Sequence, residues 1–328
     1  MIGPNEIAQA EDWFSTRGWS PFAFQREVWS AYLRGESGLI HAATGTGKTL
    51  AAWWGPLLEW KAEQLRDAAV QASGGPPRPR VRRKSARSSA PALRVLWITP
   101  LRALAADTLE ALSMPVQDLG IPWTLESRTG DTTAAMRARQ SRRLPTALVT
   151  TPESLCLLLT HDNAPEIFGD LRAVIVDEWH ELMGTKRGVQ VELALARIRQ
   201  LRPQTRIWGL SATIGNLTQA RDTLLGNYGA ETGRVIRGVE PKEIVVDALV
   251  PDVIDRFPWA GHLGTQLLPK VIAAIEEGQS AIVFTNTRSQ TEIWYQAILA
   301  ERPDWAGSIA LHHGSLDRKK REWVEDQL

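Results

Sequence analysis

The sequence predicts an α/β protein built on a parallel sheet with helices on both faces. Three observations carry that expectation. Short, near-continuous apolar runs alternate with segments of helical apolar spacing from residue 37 to about 240, the pattern left by strands buried on both faces and by their crossover helices. One of those runs leads through a glycine-containing loop, HAATGTGKT (41–49), straight into a helical pattern. The polar, chemistry-bearing residues fall just after the apolar runs, at the carboxyl ends of the strands, where parallel sheets collect their sites.

Taken in order, the first strand is GLIH (38–41), and TLAAWWGPLLEW after the loop has apolar residues at helical spacing, so that Thr49 opens a helix. RVLWIT (94–99), TALVT (146–150), AVIVDE (173–178) and IWGLSAT (207–213) are the next strands. Between the first helix and the second strand lies SGGPPRPRVRRKSARSSAP (73–91), rich in Pro, Gly, Ser and Arg, which reads as a disordered surface insertion. A solvated loop is its simpler role and an electrostatic tether for nucleic acid the alternative. Beyond residue 240 a second unit begins. PKEIVVDALV reads as a strand, LLPKVIAAIEEG as a helix ending at Gly278, SAIVFTNTR as a buried strand, TEIWYQAILAE as a helix and GSIALHHGS as another strand; KKREWVEDQL reads as a helix just started. So small a fragment would struggle to cover both faces of a sheet, so the second domain is expected to be incomplete.

Composition narrows the class. A chain of 328 residues has room for two domains, or one large domain plus part of another. No apolar run is long enough to span a bilayer, and the N-terminal stretch MIGPNEIAQAEDWF lacks the basic start and apolar core of a secretory leader. The single cysteine, Cys156, excludes an internal disulfide and a cysteine-based zinc site and reads as a small buried hydrophobe; a cytoplasmic location fits. A net charge of +1 argues against a generally basic nucleic-acid binder. The insertion holds six Arg or Lys and no acid, which leaves the rest of the chain at about −5 on the same count. The fourteen tryptophans read mostly as packing, with a few free to stack on bases.

The motifs supply the chemistry. A phosphate-binding loop needs backbone N–H groups turned around an anion, which takes the φ values glycine adopts cheaply. Gly45 and Gly47 supply them, Lys48 reaches the β- and γ-phosphates, and the Thr49 hydroxyl is a Mg²⁺ ligand at a helix N-terminus. The residue five before Lys48's glycine, where the strict pattern wants another glycine, is Ala42. Asp177 and Glu178 end a buried strand, where two carboxylates need a cation or donors; Asp177 is placed for the Mg²⁺ shell and Glu178 for the attacking water. The hydroxyls of Ser211 and Thr213 can bond His180 or the acidic pair and relay the nucleotide state. Gln25 can pair both edges of adenine, with Phe22 or Phe24 against the base or in the core. Phosphate-backbone contacts are expected from Thr99 and Arg102 in TPLRAL, Arg128 and Thr129 in SRTGDT, Thr150 and Thr151 in TTPESL, Thr287 and Arg288 in TNTRS and His313 in HHGS.

These segments, in this order, resemble superfamily 2 helicases, whose loop is typically AxxGxGKT, so that Ala42 occupies the first-glycine position. GWSPFAFQREVW, GESGLIHAATGTGKT, DEWHELMGTKRGVQVELALARIR and FPWAGHLG are similar to the large helicase-related (Lhr) family, most of all to its bacterial ligase-associated DEXH-box branch. The resemblance covers nearly the whole chain outside 73–91. It implies a RecA-like P-loop domain over 1–235 and an incomplete second RecA-like domain over 236–328. It also implies ATP and Mg²⁺ as cofactors, 3′–5′ translocation on single-stranded DNA, a role in DNA repair, and a functional link to a DNA ligase and a nuclease. Carried over residue by residue, Lys48, Asp177, Glu178 and His180 are catalytic. Gln25, Ala43, Thr44, Gly45, Thr46, Gly47, Lys48, Thr49 and Leu50 hold the nucleotide, and Thr49 and Asp177 the metal. Two further family motifs, the last holding arginines that contact the γ-phosphate, do not occur in this sequence, so weak ATP binding and poor turnover are expected; Arg318 and Arg321 are not at the motif's position. A nucleotide-dependent DNA-binding module that does not translocate, and an RNA helicase, are the alternatives, because phosphate contacts do not identify the sugar.

Overall fold

The structure, a computed structural model, describes residues 4–73, 92–226, 232–238, 245–250, 264–325 and 327. It divides into two units, Met1–Lys242 and Glu243–Leu328.

The first unit is a parallel sheet. Its strands are β1 (Gly38–His41), β2 (Val95–Ile98), β3 (Leu125–Arg128), β4 (Ala147–Thr150), β5 (Ala173–Val176), β6 (Arg206–Ser211) and β7 (Arg234–Arg237). They lie in the order β3-β4-β2-β5-β6-β1-β7, and every described pairing is parallel. The five strands read from the sequence form the middle of the sheet. The two edge strands have no apolar run to announce them: LESR is half-buried throughout, and RVIR buries only Ile236. The 235/236 domain boundary lies inside β7, which pairs along the whole of β1.

Strand alternation splits the core in two. Ile40, Val95, Trp97, Ile175 and Leu210 face α1 (Pro4–Ser15), α2 (Ala23–Leu33), α3 (Lys48–Ala72) and α4 (Leu104–Asp118). Leu39, Leu96, Ile98, Val174 and Val176 face the other way. They meet α6 (Pro152–Leu159), α7 (Ala164–Ile167), α8 (Trp179–Leu182), α9 (Lys186–Leu201) and α10 (Leu217–Leu225). The remaining helix, α5 (Ala134–Arg142), is exposed apart from Gln140 and parts of Met136. Tryptophan fills the first layer: Trp29, Trp53, Trp54, Trp97 and Trp208 are all at most 1 % exposed. Helix α3 packs so closely on α2 that a Cβ at Gly55 would lie 2.5 Å from Tyr32 Cγ.

At the amino ends of the strands, away from the motifs, two carboxylates one turn apart on α3 gather charges the sequence pattern does not reveal. Glu59 accepts from Tyr32 Oη (3.0 Å) and Arg206 Nη1 (2.9 Å), and Glu63 from Arg94 Nη2 (2.8 Å), with Arg172 3.5 Å away. This fixes the helix across β2 and β6 and leaves their carboxyl ends free for chemistry.

In the second unit the described residues form three helices, α11 (Leu268–Glu276), α12 (Arg288–Glu301) and α13 (Arg318–Glu325), with single 3₁₀ turns at Thr265–Leu267 and Pro303–Trp305. The three strands expected there are not formed among the described residues. Residues 245–250, 280–285 and 307–312 carry no ladder, and Phe284, expected in a buried strand, is 90 % exposed. A strand is held by backbone on a neighbouring strand, and no described segment of this unit supplies one; among its described apolar side chains only Ile272 and Ile298 are buried. All of the 73–91 insertion except Ser73, and FPWAGHLG except Gly264, lie outside the described residues. No described helix is long and apolar enough to cross a membrane.

Candidate active site

Three adjacent strands, β5, β6 and β1, deliver the chemistry-bearing residues at their carboxyl ends. Beyond β1 the ladder continues for one bond, Ala42 N–H to the Ser211 carbonyl (3.1 Å), and the chain then turns into the loop. Gly45 and Gly47 have φ of +79° and +78°, as a phosphate loop requires. Ala42 is buried, and a Cβ on Gly238 would lie 2.3 Å from its methyl. The methyl at the first-glycine position therefore packs against Gly238, just past the end of β7.

Lys48 opens α3. It is buried, and its ammonium donates to the Ala43 carbonyl (3.0 Å), as does the Thr46 hydroxyl (2.6 Å). Burial lowers the Lys48 pKa, and the nearby Glu178 and Asp177 carboxylates oppose that shift. Thr49 and Leu50 follow in the first helical turn, both half-buried, while Thr44 and Gly45 are exposed.

Gln25 is 1 % exposed and braces the loop. Its Oε1 accepts from the Phe22 N–H (2.8 Å), and its Nε2 donates to the Gly47 carbonyl (3.1 Å). One N–H and one lone pair stay available beyond these bonds. The two candidate base-packing rings separate: Phe24 is core, whereas Phe22 is 45 % exposed and lies parallel to it at 6.0 Å.

The acidic pair follows β5. Asp177 N–H bonds the Ile98 carbonyl (2.8 Å), extending the ladder with β2. Its carboxylate accepts from the indole N–H of Trp97 (3.2 Å, Oδ2) and from the Glu178 N–H (3.0 Å, Oδ1). Burial pushes the Asp177 pKa up to about 6 against the pull of the Trp97 bond, with the Glu178 charge adding to the rise. Glu178 has φ +43°, the one non-glycine residue in the left-handed region among the described residues. Such a conformation costs of order 1–3 kcal/mol and persists where surrounding structure holds it. Its Oε2 is buried with no hydrogen-bond partner. His180 Nδ1 lies 3.4 Å from that oxygen, outside hydrogen-bond geometry, and 3.3 Å from the Ser211 hydroxyl. Thr213 stands exposed two residues beyond Ser211, with no bond to this group.

No cluster of three or more His, Cys, Asp or Glu fit to hold a metal occurs among the described residues. The donors present, one buried carboxylate and the Thr49 hydroxyl, nevertheless suit Mg²⁺, which keeps most of its waters and takes one or two protein oxygens beside phosphates.

Two residues near the site were not singled out from sequence. Trp97 gave one signal, a polar N–H in an otherwise aliphatic strand. His41 gave none; its Nδ1 is buried without a partner, and burial together with Arg237, Lys48 and His180 lowers its pKa.

The expected strand-contacting residues divide in the same way. At the ends of the neighbouring strands β3, β4 and β2, Thr150 Oγ1 donates to the Arg128 carbonyl (2.8 Å), Arg137 donates to the Gly130 carbonyl (2.7 Å) and Arg102 pairs with Asp131 (2.7 Å). Arg128 has one buried, unpartnered guanidinium nitrogen, and burial together with the charge of Arg137 lowers its pKa. Thr99, Thr129 and Thr151 are buried, and their hydroxyls serve Leu101, the Asp131 N–H and Ser154. These three shape the loops rather than present hydroxyls to solvent. Within the second unit, Thr287 caps α12, Arg288 bonds the Ser315 hydroxyl, and His313 Nε2 lies 3.4 Å from Glu292, which joins the TNTRS and HHGS segments.

The DEAD/DEAH box helicase family profile matches residues 22–220. The sequence is 30 % identical to a Lhr helicase/probable uracil glycosylase of Mycolicibacterium smegmatis, over 98 % of this chain and 22 % of that protein. It is 32 % identical to the ATP-dependent helicase Lhr-Core of Methanothermobacter thermautotrophicus, over 90 % of this chain and 33 % of that protein. The chain thus spans a third or less of the length of these relatives. Among solved structures, Mycobacterium smegmatis helicase Lhr bound to ssDNA and AMP-PNP matches with a TM-score of 0.66 and 29 % identity, over 97 % of this chain and 39 % of that one. The DUF1998 helicase MrfA bound to DNA matches at 0.70 with 19 % identity, over 99 % and 42 %, a likeness of fold.

Proposed function

The chain belongs to the DEAD/DEAH box helicases and within them to the Lhr family, and from that premise we propose that it is the ATP-hydrolysing segment of a motor that moves on single-stranded DNA in DNA repair, in the cytoplasm. The observation that carries the reading is the convergence of Lys48, Asp177 and Glu178 at one end of the sheet, with Glu178 held in a left-handed conformation beside the loop. The relative solved with ssDNA and AMP-PNP supports both ligands. The second unit is read as part of a second RecA-like domain, and a partnership with a ligase and a nuclease goes with the family reading.

In this mechanism backbone N–H groups of the loop and the Lys48 ammonium hold the β- and γ-phosphates. Asp177 and Thr49 would hold Mg²⁺, which when bound neutralises charge on the phosphates. Glu178 orients the attacking water and accepts its proton. Gln25 ties the loop to α2 and offers its remaining donor and acceptor to adenine, with Phe22 beside the base. The Ser211–His180 contact touches Glu178 from β6, so a shift at the phosphates reaches the strand that leads to α10. Arg102 and Arg128, and Arg288 in the second unit, contact the DNA backbone without reading sequence.

The test is Glu178→Gln. It should keep nucleotide affinity within a few-fold while turnover falls about 10²–10⁴-fold, whereas Lys48→Ala should lose affinity as well. A Glu178→Gln chain that hydrolyses ATP at the wild-type rate contradicts the assignment. Parallel titrations with matched DNA and RNA strands decide between the two nucleic acids.

A further inference from the structure

Six described tryptophans in the sheet, its covering helices and the loop before β3 bury their indole nitrogens beyond hydrogen-bond reach or spend them on backbone. Trp29, Trp54, Trp123 and Trp208 have buried Nε1 atoms with no partner, and Trp53 and Trp179 donate to the carbonyls of Leu112 and Ala220. Trp97 differs from these six: its N–H reaches the carboxylate of Asp177 at the end of β5, as the N–H of Trp13 on α1 reaches Asp118 (2.9 Å) at the end of α4. Packing alone does not demand that bond, because four neighbours of the same type are packed without one.

The geometry around it is fixed from both sides. Trp97 on β2 is in register with Ile175 on β5, two residues before Asp177, and the Asp177 N–H continues that ladder to Ile98. The indole is 1 % exposed and stands edge-on to Trp53 (6.5 Å, 75°). Trp53 is itself held by its bond to Leu112 and by Trp123 (5.6 Å, 74°). The donor therefore cannot swing away. With Trp97 on Oδ2 and the Glu178 N–H on Oδ1, each carboxylate oxygen has one donor, and the plane of the group is set.

We propose that Trp97 is a positioning residue for Asp177: its indole N–H holds the carboxylate in the rotamer that presents a free lone pair to the nucleotide-bound Mg²⁺. The inference rests on the nucleotide site proposed above. A carboxylate that loses this donor keeps the Glu178 bond and gains a rotation, which costs metal contact without touching the phosphate loop.

The experiment measures the affinity of the full chain for a fluorescent ADP analogue in Mg²⁺ and in EDTA, and takes the ratio. Trp97→Phe keeps a ring and removes the N–H. It should reduce the Mg²⁺-dependent gain roughly tenfold, the scale of one hydrogen bond to a charged group, and leave the EDTA affinity within about twofold. Trp53→Phe disturbs the same packing but spares the donor, and should leave the ratio unchanged. If Trp97→Phe fails to fold, benzothienylalanine at position 97, which replaces the N–H by sulfur in the same shape, makes the same comparison. A normal Mg²⁺ gain in a folded chain lacking the N–H overturns the role of Trp97 while the nucleotide site stands. A wild-type chain whose affinity ignores Mg²⁺ overturns the site reading, and the role of Trp97 with it.

Discussion

Asp177 places function and stability in opposition. Its pKa rises from an ordinary 3.8 to about 6 on folding, first because burial penalises the charge. A group raised in this way favours the folded state while both forms are protonated and loses that contribution as pH climbs through the folded value. The nucleotide-free protein is therefore expected to lose stability between pH 3.8 and about 6, by about 3 kcal/mol from this residue. Asp177→Asn keeps an acceptor for Trp97 and removes the buried charge. Denaturant unfolding near pH 7.5 should show the variant more stable than wild type, with the difference shrinking toward pH 4. A variant less stable at both pH values would mean the carboxylate is held by more than its burial allows. The motif residues themselves were legible because their types are constrained by chemistry: a phosphate loop needs its glycines and lysine, and two carboxylates after AVIV need a cation. Illegible were the contacts across strands. Nothing in RVLWIT says that Trp97 turns its N–H toward Asp177, since that depends on β2 lying beside β5, and the pairing of Gln25 with the Gly47 carbonyl depends on α2 lying beside the loop.

At the scale of elements, the five strands read from apolar runs are those buried on both faces. The runs were visible because such strands carry apolar side chains on each side of the backbone. β3 and β7 were missed because an edge strand needs only backbone partners on one side and can afford LESR or RVIR. The second unit marks the opposite error: AIVF reads as a buried strand, yet apolar content alone does not make one when no described neighbour pairs with it. Helix packing was equally silent in the sequence. Gly55 sits mid-helix, where glycine costs helix propensity, because α2 presses Tyr32 against it. Gly55→Ala improves propensity but places a methyl inside the Tyr32 ring contact. We expect a net loss of about 1–3 kcal/mol by thermal unfolding, and a stabilised variant would show that α2 can move away.

For the whole molecule, one unit carries every residue of the proposed nucleotide site, and the candidate DNA contacts are shared between the two. A net charge of +1 is compatible with this, because Arg102, Arg128 and Arg137 gather around the carboxyl ends of β2 and β3, where one acid, Asp131, pairs with Arg102. The division into an α/β unit and a smaller second unit was legible from the change of pattern near residue 240; the form of the second unit was not, since it depends on pairing partners and not on local spacing. The account's central claim is that the loop at 41–49 and the pair Asp177–Glu178 form one ATP site that answers to single-stranded DNA. The most direct measurement is ATP turnover with and without single-stranded DNA, for the wild type and Lys48→Ala. The account predicts slow turnover that rises with DNA and disappears in Lys48→Ala. Turnover that survives Lys48→Ala, or that ignores DNA although nucleotide and strand both bind, would contradict it.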